Sequence, residues 1–242
     1  MKVHVLGIGI NFVNQREALA TLMKFLKESK NHTVFTPNPE IVMEATKDSE
    51  LKRILNEADL VVPDGIGVVW ASKYSEKKLP ERVAGYDLVQ SLFQEIKNTN
   101  YTVYFLGGKP GIPEAAKEVM EQTHKNLKIV GVSDGYFDTE KEQAIIGEIK
   151  RLNPDILLVG FGVPKQEKWI DKHKDLPIKI SIGVGGSFDA MAGSFKRAPK
   201  FFIEHNIEWL YRLIKQPTRI RRQIKLPLFV IKVLLGRKTH RG

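Results

Sequence analysis

Cysteine is absent from all 242 residues. That excludes disulfides, thiolate metal sites and thiol nucleophiles, and it suits the cytosol. No apolar run approaches the ~20 residues a spanning helix needs, since the longest late stretch, Leu226 to Leu235, is interrupted by Lys232. The opening Met1 to Gly7 is too short an apolar run for a signal peptide and reads as a strand. Both standard nucleotide fingerprints are missing. Gly107-Gly108-Lys109-Pro110 lacks the spacing and the Ser or Thr of a P-loop, and Gly183-Val184-Gly185-Gly186 is not G-x-G-x-x-G. There is no Asp-x-Asp, and His4, His32, His124, His173, His205 and His240 are scattered. No metal and no cofactor is therefore expected, and without cysteine the thiol-based covalent mechanisms lose support.

What is present describes an ordinary globular chain, 42% apolar and 27% charged. The net charge of +10 is unevenly placed. Residues 1 to 195 hold 25 Lys and Arg against 26 Asp and Glu, whereas residues 196 to 242 hold 13 against 2. A neutral body of residues 1–195 with a basic appendage of residues 196–242 points to a polyanion met by the appendage alone. There Arg219, Arg221, Arg222 and Lys225 interleave with Ile220, Ile224, Leu226, Leu228 and Phe229, as in helices that lie on an anionic membrane surface. A nucleic-acid module would place aromatics or a groove-reading helix among those cations, so nucleic acid is not expected as a partner.

Along the body, short apolar runs alternate with helical patterns. Strands are expected at Val3 to Ile8, Thr33 to Thr36, Leu60 to Val62, Thr102 to Leu106, Lys128 to Val132, Ile156 to Val159 and Ile178 to Ile182, with helices between them. Asn14 with Glu17 makes a capping-box start, a break falls near Asp48, and a helix runs from about Gly67 to Tyr74. This spacing predicts an α/β fold, a mostly parallel Rossmann-like sheet with helices on both faces. After it, Pro199 starts a helix through Leu213, and Pro217 begins a second segment.

Ligands of such sheets bind at the carboxyl ends of the strands. Two segments stand there, Thr36-Pro37-Asn38-Pro39-Glu40 and Pro63-Asp64-Gly65-Ile66-Gly67. Asp64, deprotonated at neutral pH, is the candidate general base, and Thr36 and Asn38 can orient a sugar hydroxyl. Each also has a plainer role: Asp64 can cap the next helix, and Thr36 and Asn38 can stabilise the Pro-rich turn. The loops Gly107-Gly108-Lys109, Tyr136, Phe161-Gly162, Pro164-Lys165 and Gly185-Gly186 fit a phosphate-bearing ligand, or are simply tight turns. Gln166 opens a helix, where an exposed polar residue is ordinary.

These segments, together with Arg82-Val83-Ala84-Gly85-Tyr86-Asp87, Asp134-Gly135-Tyr136-Phe137, Gly160 to Ile170, Gly183 to Asp189, Lys196-Arg197-Ala198-Pro199 and Glu208 to Leu213, resemble the WecG/TagA/CpsF family of bacterial glycosyltransferases. The resemblance implies an inverting transfer, without an essential metal, of N-acetylmannosamine from UDP-ManNAc to the GlcNAc of an undecaprenyl-diphosphate carrier. One branch of the family makes the linkage unit of wall teichoic acid in this way. Another uses the corresponding uronic acid donor for a different surface polymer, and a soluble nucleotide-sugar-modifying enzyme is the rival outside the family. On the family reading Asp64 is the base and Gln166 touches the donor sugar. The glycine loops, Lys109 and Lys165 hold the UDP, while Arg82, Arg212, Arg219 and Arg222 hold the acceptor diphosphate. Placement on the inner face of the cell membrane follows from such an acceptor, and a homo-oligomer stays open.

Overall fold

The computed structural model describes residues 1–75, 77–194, 199, 201–202, 208–215 and 225–239. Six strands form one wholly parallel sheet: β3 (His32–Phe35), β4 (Leu60–Val61), β5 (Thr102–Gly107), β6 (Lys128–Ser133), β7 (Ile156–Gly160) and β8 (Ile180–Gly183), in the order β4-β3-β8-β7-β5-β6. The chain winds outward from β3 to β4 and from β5 to β6, then returns through β7 to β8 at the centre. The connections reverse between β3 and β8 and between β5 and β7, which opens crevices above those carboxyl ends.

Period-two alternation in the strands divides the core. Val34, Leu60, Val62, Val103, Phe105, Ile156, Leu158, Ile180 and Ile182 pack on one face with α1 (Gln15–Phe25), α5 (Gly85–Ile96), α6 (Ile112–Thr123) and α9 (Ser187–Met191). Phe35, Val61, Tyr104, Leu106, Leu157 and Val159 pack on the other with α2 (Pro39–Ala45), α3 (Ser49–Glu57), α4 (Ile66–Ala71), α7 (Thr139–Leu152) and α8 (Lys165–Lys172). A strand buried on both faces reads as a continuous apolar run, which is why these segments are visible in the sequence. Side-chain caps set the helix starts. Asn14 and Glu17 form the expected capping box, Asp48 caps α3 at the expected break, and Asp138 caps α7.

The first expected strand is corrected. Residues 2 to 11 form an antiparallel hairpin, β1 (Lys2–Val5) with β2 (Ile8–Asn11), apart from the main sheet. Leu6 and Gly7, at φ 50° and 81°, make a two-residue reversal inside what read as one strand. The hairpin is anchored beside β4, where Val61 N donates to Asn11 Oδ1 at 2.8 Å. Smaller shifts concern ends: α4 stops at Ala71 and a 3-10 turn covers Ser72–Tyr74, while the last strand starts at Ile180 rather than Ile178.

Of the basic appendage, Glu208–Lys215 and Lys225–Thr239 are helical. The second of these packs on the body against α2 and α4. Phe229 and Val233 are buried in the core, and Lys225 Nζ lies 2.7 Å from Glu44 Oε2. Its other side leaves Leu228, Ile231 and Leu235 exposed. Among the described residues no helix is long and apolar enough to cross a membrane.

Candidate functional site

The β3 and β4 ends come together as expected. Asn38 ends the β3 loop and its side-chain oxygen accepts from Ile41 N at 3.0 Å, capping α2, with Pro39 in the first turn. The plainer reading of that oxygen is thus satisfied, and only the amide nitrogen of Asn38 is left for a ligand. Asp64 does not cap the helix that follows it: the N-cap position of α4 is Gly65, at φ 87°, with no side-chain cap. Its carboxylate faces Arg82, whose Nε stands 3.5 Å from Asp64 Oδ1, and both side chains are partly exposed at 26% and 20%. Arg82 reaches it from the loop before α5, which the polar, Pro-broken stretch placed beside the site.

Glycines let these loops close on one another. A Cβ on Gly85 would meet Thr36 Oγ1 at 2.9 Å, and one on Gly67 would meet Pro39 Cγ at 2.6 Å. The half-buried Thr36 hydroxyl makes no hydrogen bond among the described residues, so it is available to a ligand.

The β5, β6, β7 and β8 ends are built differently, from backbone laid on backbone. Gly107 has φ 136°, and a Cβ there would lie 2.5 Å from Gly160 O. Gly108 N donates to Gly160 O at 3.0 Å, and Gly135 N donates to Gly108 O at 2.9 Å. A Cβ on Gly160 would meet Gly185 O at 2.7 Å. Lys109, Lys165 and Tyr136 stand exposed around these loops, while Phe161, Gly162 and Pro164 are half-buried. The main-chain N–H groups of Lys109, Gly162 and Gly186 make no hydrogen bond among the described residues and can meet an approaching phosphate.

Gln166, for which an exposed polar residue was the plainer reading, is instead buried, 3% exposed. Gly185 N donates to its Oε1 at 2.9 Å, and its Nε2 donates to Glu167 Oε1 at 2.9 Å. It clamps the β8 loop next to Gly186, beside β3. A Cβ on Gly183 would meet Gln166 Nε2 at 2.9 Å and the Phe35 ring at 3.3 Å.

Glu167 was missed in the sequence. Burial pushes its carboxyl up to about 7, and Glu167 Oε2 has no hydrogen-bond partner among the described residues. A charged residue in a first helical turn gives no warning of burial. Its only signal is adjacency to Gln166.

A cavity of about 760 Å³ opens beside Arg82, between α4, the loop of residues 78–84 and the first turns of α1 and α5. Ile66, Trp70 and Lys73 line it; their spacing of four and three puts them on one side of the chain, a signal that could have been read.

Arg219 and Arg222 lie outside the described residues. Arg212 lies in the helix Glu208–Lys215, with its side chain undescribed. Among the described residues no three His, Cys, Asp or Glu side chains are grouped to hold a metal. His32 instead stacks on Phe25 at 3.8 Å, and His124 pairs with Gln90 at 2.9 Å.

The model of the glycosyl transferase WecG/TagA/CpsF family matches residues 3–242. A Bacillus spizizenii protein named N-acetylglucosaminyldiphosphoundecaprenol N-acetyl-beta-D-mannosaminyltransferase is 39% identical over 211 residues, 87% of this chain and 81% of its own. Proteins of the same name from Bacillus subtilis and Staphylococcus aureus are 35% and 33% identical, covering 90% and 98% of this chain and 84% and 94% of theirs.

Proposed function

The chain belongs to the WecG/TagA/CpsF glycosyltransferase family, and from that premise we propose that it moves N-acetylmannosamine from UDP-ManNAc to the GlcNAc of undecaprenyl-diphosphate-GlcNAc. The relatives' shared name supplies the acceptor and the sugar. The observation that carries the mechanism is the Asp64 carboxylate, partly open to solvent and joined to Arg82, at a strand end paired with the one that leads into Thr36.

In the proposed step an acceptor hydroxyl oxygen attacks the anomeric carbon of the donor. Asp64 takes the hydroxyl proton, the bond from that carbon to the β-phosphate oxygen breaks, and UDP leaves with the electron pair. Configuration inverts because attack and departure are on opposite sides. Thr36 and the Asn38 amide orient the sugars. Charge on the departing diphosphate is met by the N–H groups of Lys109, Gly162 and Gly186 in the glycine loops and by the ammonium groups of Lys109 and Lys165, donors that need no metal. Gln166, clamped on Gly185, holds the β8 loop in place for the donor.

The helix Lys225–Thr239 supports a peripheral membrane placement, since it is fixed to the body by Phe229 and Val233 yet presents Leu228, Ile231 and Leu235 outward. Basic residues near an anionic surface add ~1 kcal/mol each. Truncation would uncover the Phe229 site, so substitution tests this better. Leu228→Ser/Ile231→Ser/Leu235→Ser is expected to leave thermal unfolding unchanged and to reduce sedimentation with anionic vesicles several-fold; unchanged sedimentation removes this helix from the contact.

The function itself is tested by incubating the chain with UDP-ManNAc and a lipid-diphosphate GlcNAc analogue, with and without EDTA. Transfer in both arms is expected. Transfer only from the uronic acid donor moves the chain to the other branch, and abolition by EDTA sinks the metal-independent mechanism.

A further inference from the structure

The cavity beside Arg82 has no part yet in the reaction. Its lining mixes apolar residues, Ile66, Trp70 and Pro80, with cationic ones, Lys73, Lys78 and Arg82. Two acids also line it. Glu81 is occupied in accepting from Gln15 N at 2.7 Å, and Asp87 stands in the first turn of α5. Lys73 and Lys78 are exposed and make no ion pair among the described residues, whereas Lys77 between them lies over the Phe12 ring at 4.1 Å. Two ammonium groups with no ion pair among the described residues, lining the same cavity as a Trp and an Ile, suit a ligand that is anionic at one end and greasy at the other.

We propose that this cavity takes the diphosphate and the first isoprenoid units of the acceptor, with Lys73 and Lys78 on the phosphates and Ile66 and Trp70 along the lipid. The proposal rests on the transfer reading above, and three observations point to the acceptor rather than the donor. In an inverting displacement the acceptor and the leaving diphosphate approach the anomeric carbon from opposite sides. The glycine loops suited to the leaving group follow β5, β7 and β8, whereas the cavity adjoins the segment between β4 and α4 that carries Asp64. Arg82 both lines the cavity and touches Asp64, so a ligand seated there is in reach of the base. Finally, α4 is shared. Ile66 and Trp70 face the cavity, while a Cβ on Gly67 would stand 3.8 Å from Phe229, on the helix whose outer side is the exposed Leu228, Ile231 and Leu235. A polyprenol leaving the cavity along α4 meets the apolar side of the molecule.

The test uses the full chain with Lys73→Ala/Lys78→Ala; both side chains are exposed, so folding is preserved. Initial rates are measured against lipid-diphosphate GlcNAc and against the UDP-sugar separately. Farnesyl diphosphate binding is measured by calorimetry, and sedimentation with phosphatidylglycerol vesicles is measured alongside. The acceptor KM is expected to rise about tenfold and farnesyl diphosphate affinity to fall about tenfold, the loss of two phosphate contacts. The donor KM and vesicle binding stay within about twofold, and Lys73→Arg/Lys78→Arg restores the acceptor KM.

An unchanged acceptor KM with unchanged farnesyl diphosphate affinity overturns the proposal and leaves the transfer reading standing. So does a fall in vesicle binding that accounts for the whole loss, which would assign the lysines to lipid headgroups. A wild-type chain that transfers no sugar, yet binds farnesyl diphosphate through these lysines, sinks the reaction and keeps the site. A wild-type chain that does neither sinks both.

Discussion

The two ends of one sheet edge are built on opposite plans. At β3 and β4 the loops present side chains: a carboxylate paired with a guanidinium, an amide, and a hydroxyl with no hydrogen bond among the described residues. At β5, β7 and β8 the loops bring main chain against main chain, Gly107 on Gly160 and Gly160 on Gly185, with Lys109 and Lys165 exposed around them. On the proposed reaction, the difference follows from what each end has to meet. Proton transfer needs a titratable group at a defined atom, whereas a diphosphate is held best by converging N–H dipoles that only a stripped backbone can bring close. Between the two stands Gln166, a buried side chain engaged on Gly185.

The largest effect expected from this division is at Asp64. Asp64→Asn keeps the shape and removes the proton acceptor, so kcat is expected to fall about 10³-fold while UDP still binds. Turnover within tenfold of wild type in a pre-steady-state assay would take the base role from Asp64. Next are the glycines, where the comparison can be broken within one end. Gly107→Ala meets both a φ of 136° and Gly160 O, and is expected to cost on the order of 3 kcal/mol with loss of UDP affinity. Gly162→Ala shares a positive φ of 76° but has nothing within 4 Å, so about 1 kcal/mol is expected. Equal losses in urea unfolding would show that close approach is not what Gly107 provides.

Most of the scaffold was legible because strands buried on both faces must be apolar throughout, and helices between them carry their own caps at Asn14, Asp48 and Asp138. The hairpin was not. Leu6 is a poor sign of a left-handed turn, and only Gly7 after it hints at the reversal. Asp64 and Thr36 were legible as candidates from their position at strand ends, and Arg82 from the polar, Pro-broken loop beside them. Glu167 and the Lys73 and Lys78 pair were not, since burial of the first and the uncommitted state of the others depend on which loops fold over them.

Glu167 sharpens the comparison through pH. Its carboxyl is held up near 7 by burial against an ordinary value of 4.5, so between those values the folded chain keeps a proton that the unfolded chain has lost. Stability should therefore decline as pH rises from about 4.5 to about 7 and level off above. Glu167→Gln keeps an oxygen for Gln166 Nε2 and removes the titration. At pH 8 the variant is expected to gain on the order of 3 kcal/mol over wild type, at ~1.36 kcal/mol per pH unit, and nothing below pH 4. Urea unfolding across that range gives the answer; parallel curves for the two proteins would mean the carboxyl is not buried as an acid.

The smallest effect is at Asn38, where a structural and a chemical role share one side chain. Its oxygen caps α2 through Ile41 N, so Asn38→Ala should cost about 1 kcal/mol of stability. Asn38→Asp retains the capping oxygen and removes the only hydrogen-bond donor the side chain offers the site. Thermal unfolding of the Asp variant is therefore expected to match wild type while its kcat falls about tenfold, the worth of one hydrogen bond in the transition state. Should the Asp variant turn over at the wild-type rate, Asn38 belongs to the scaffold alone, and the chemical side of the β3 loop narrows to Thr36.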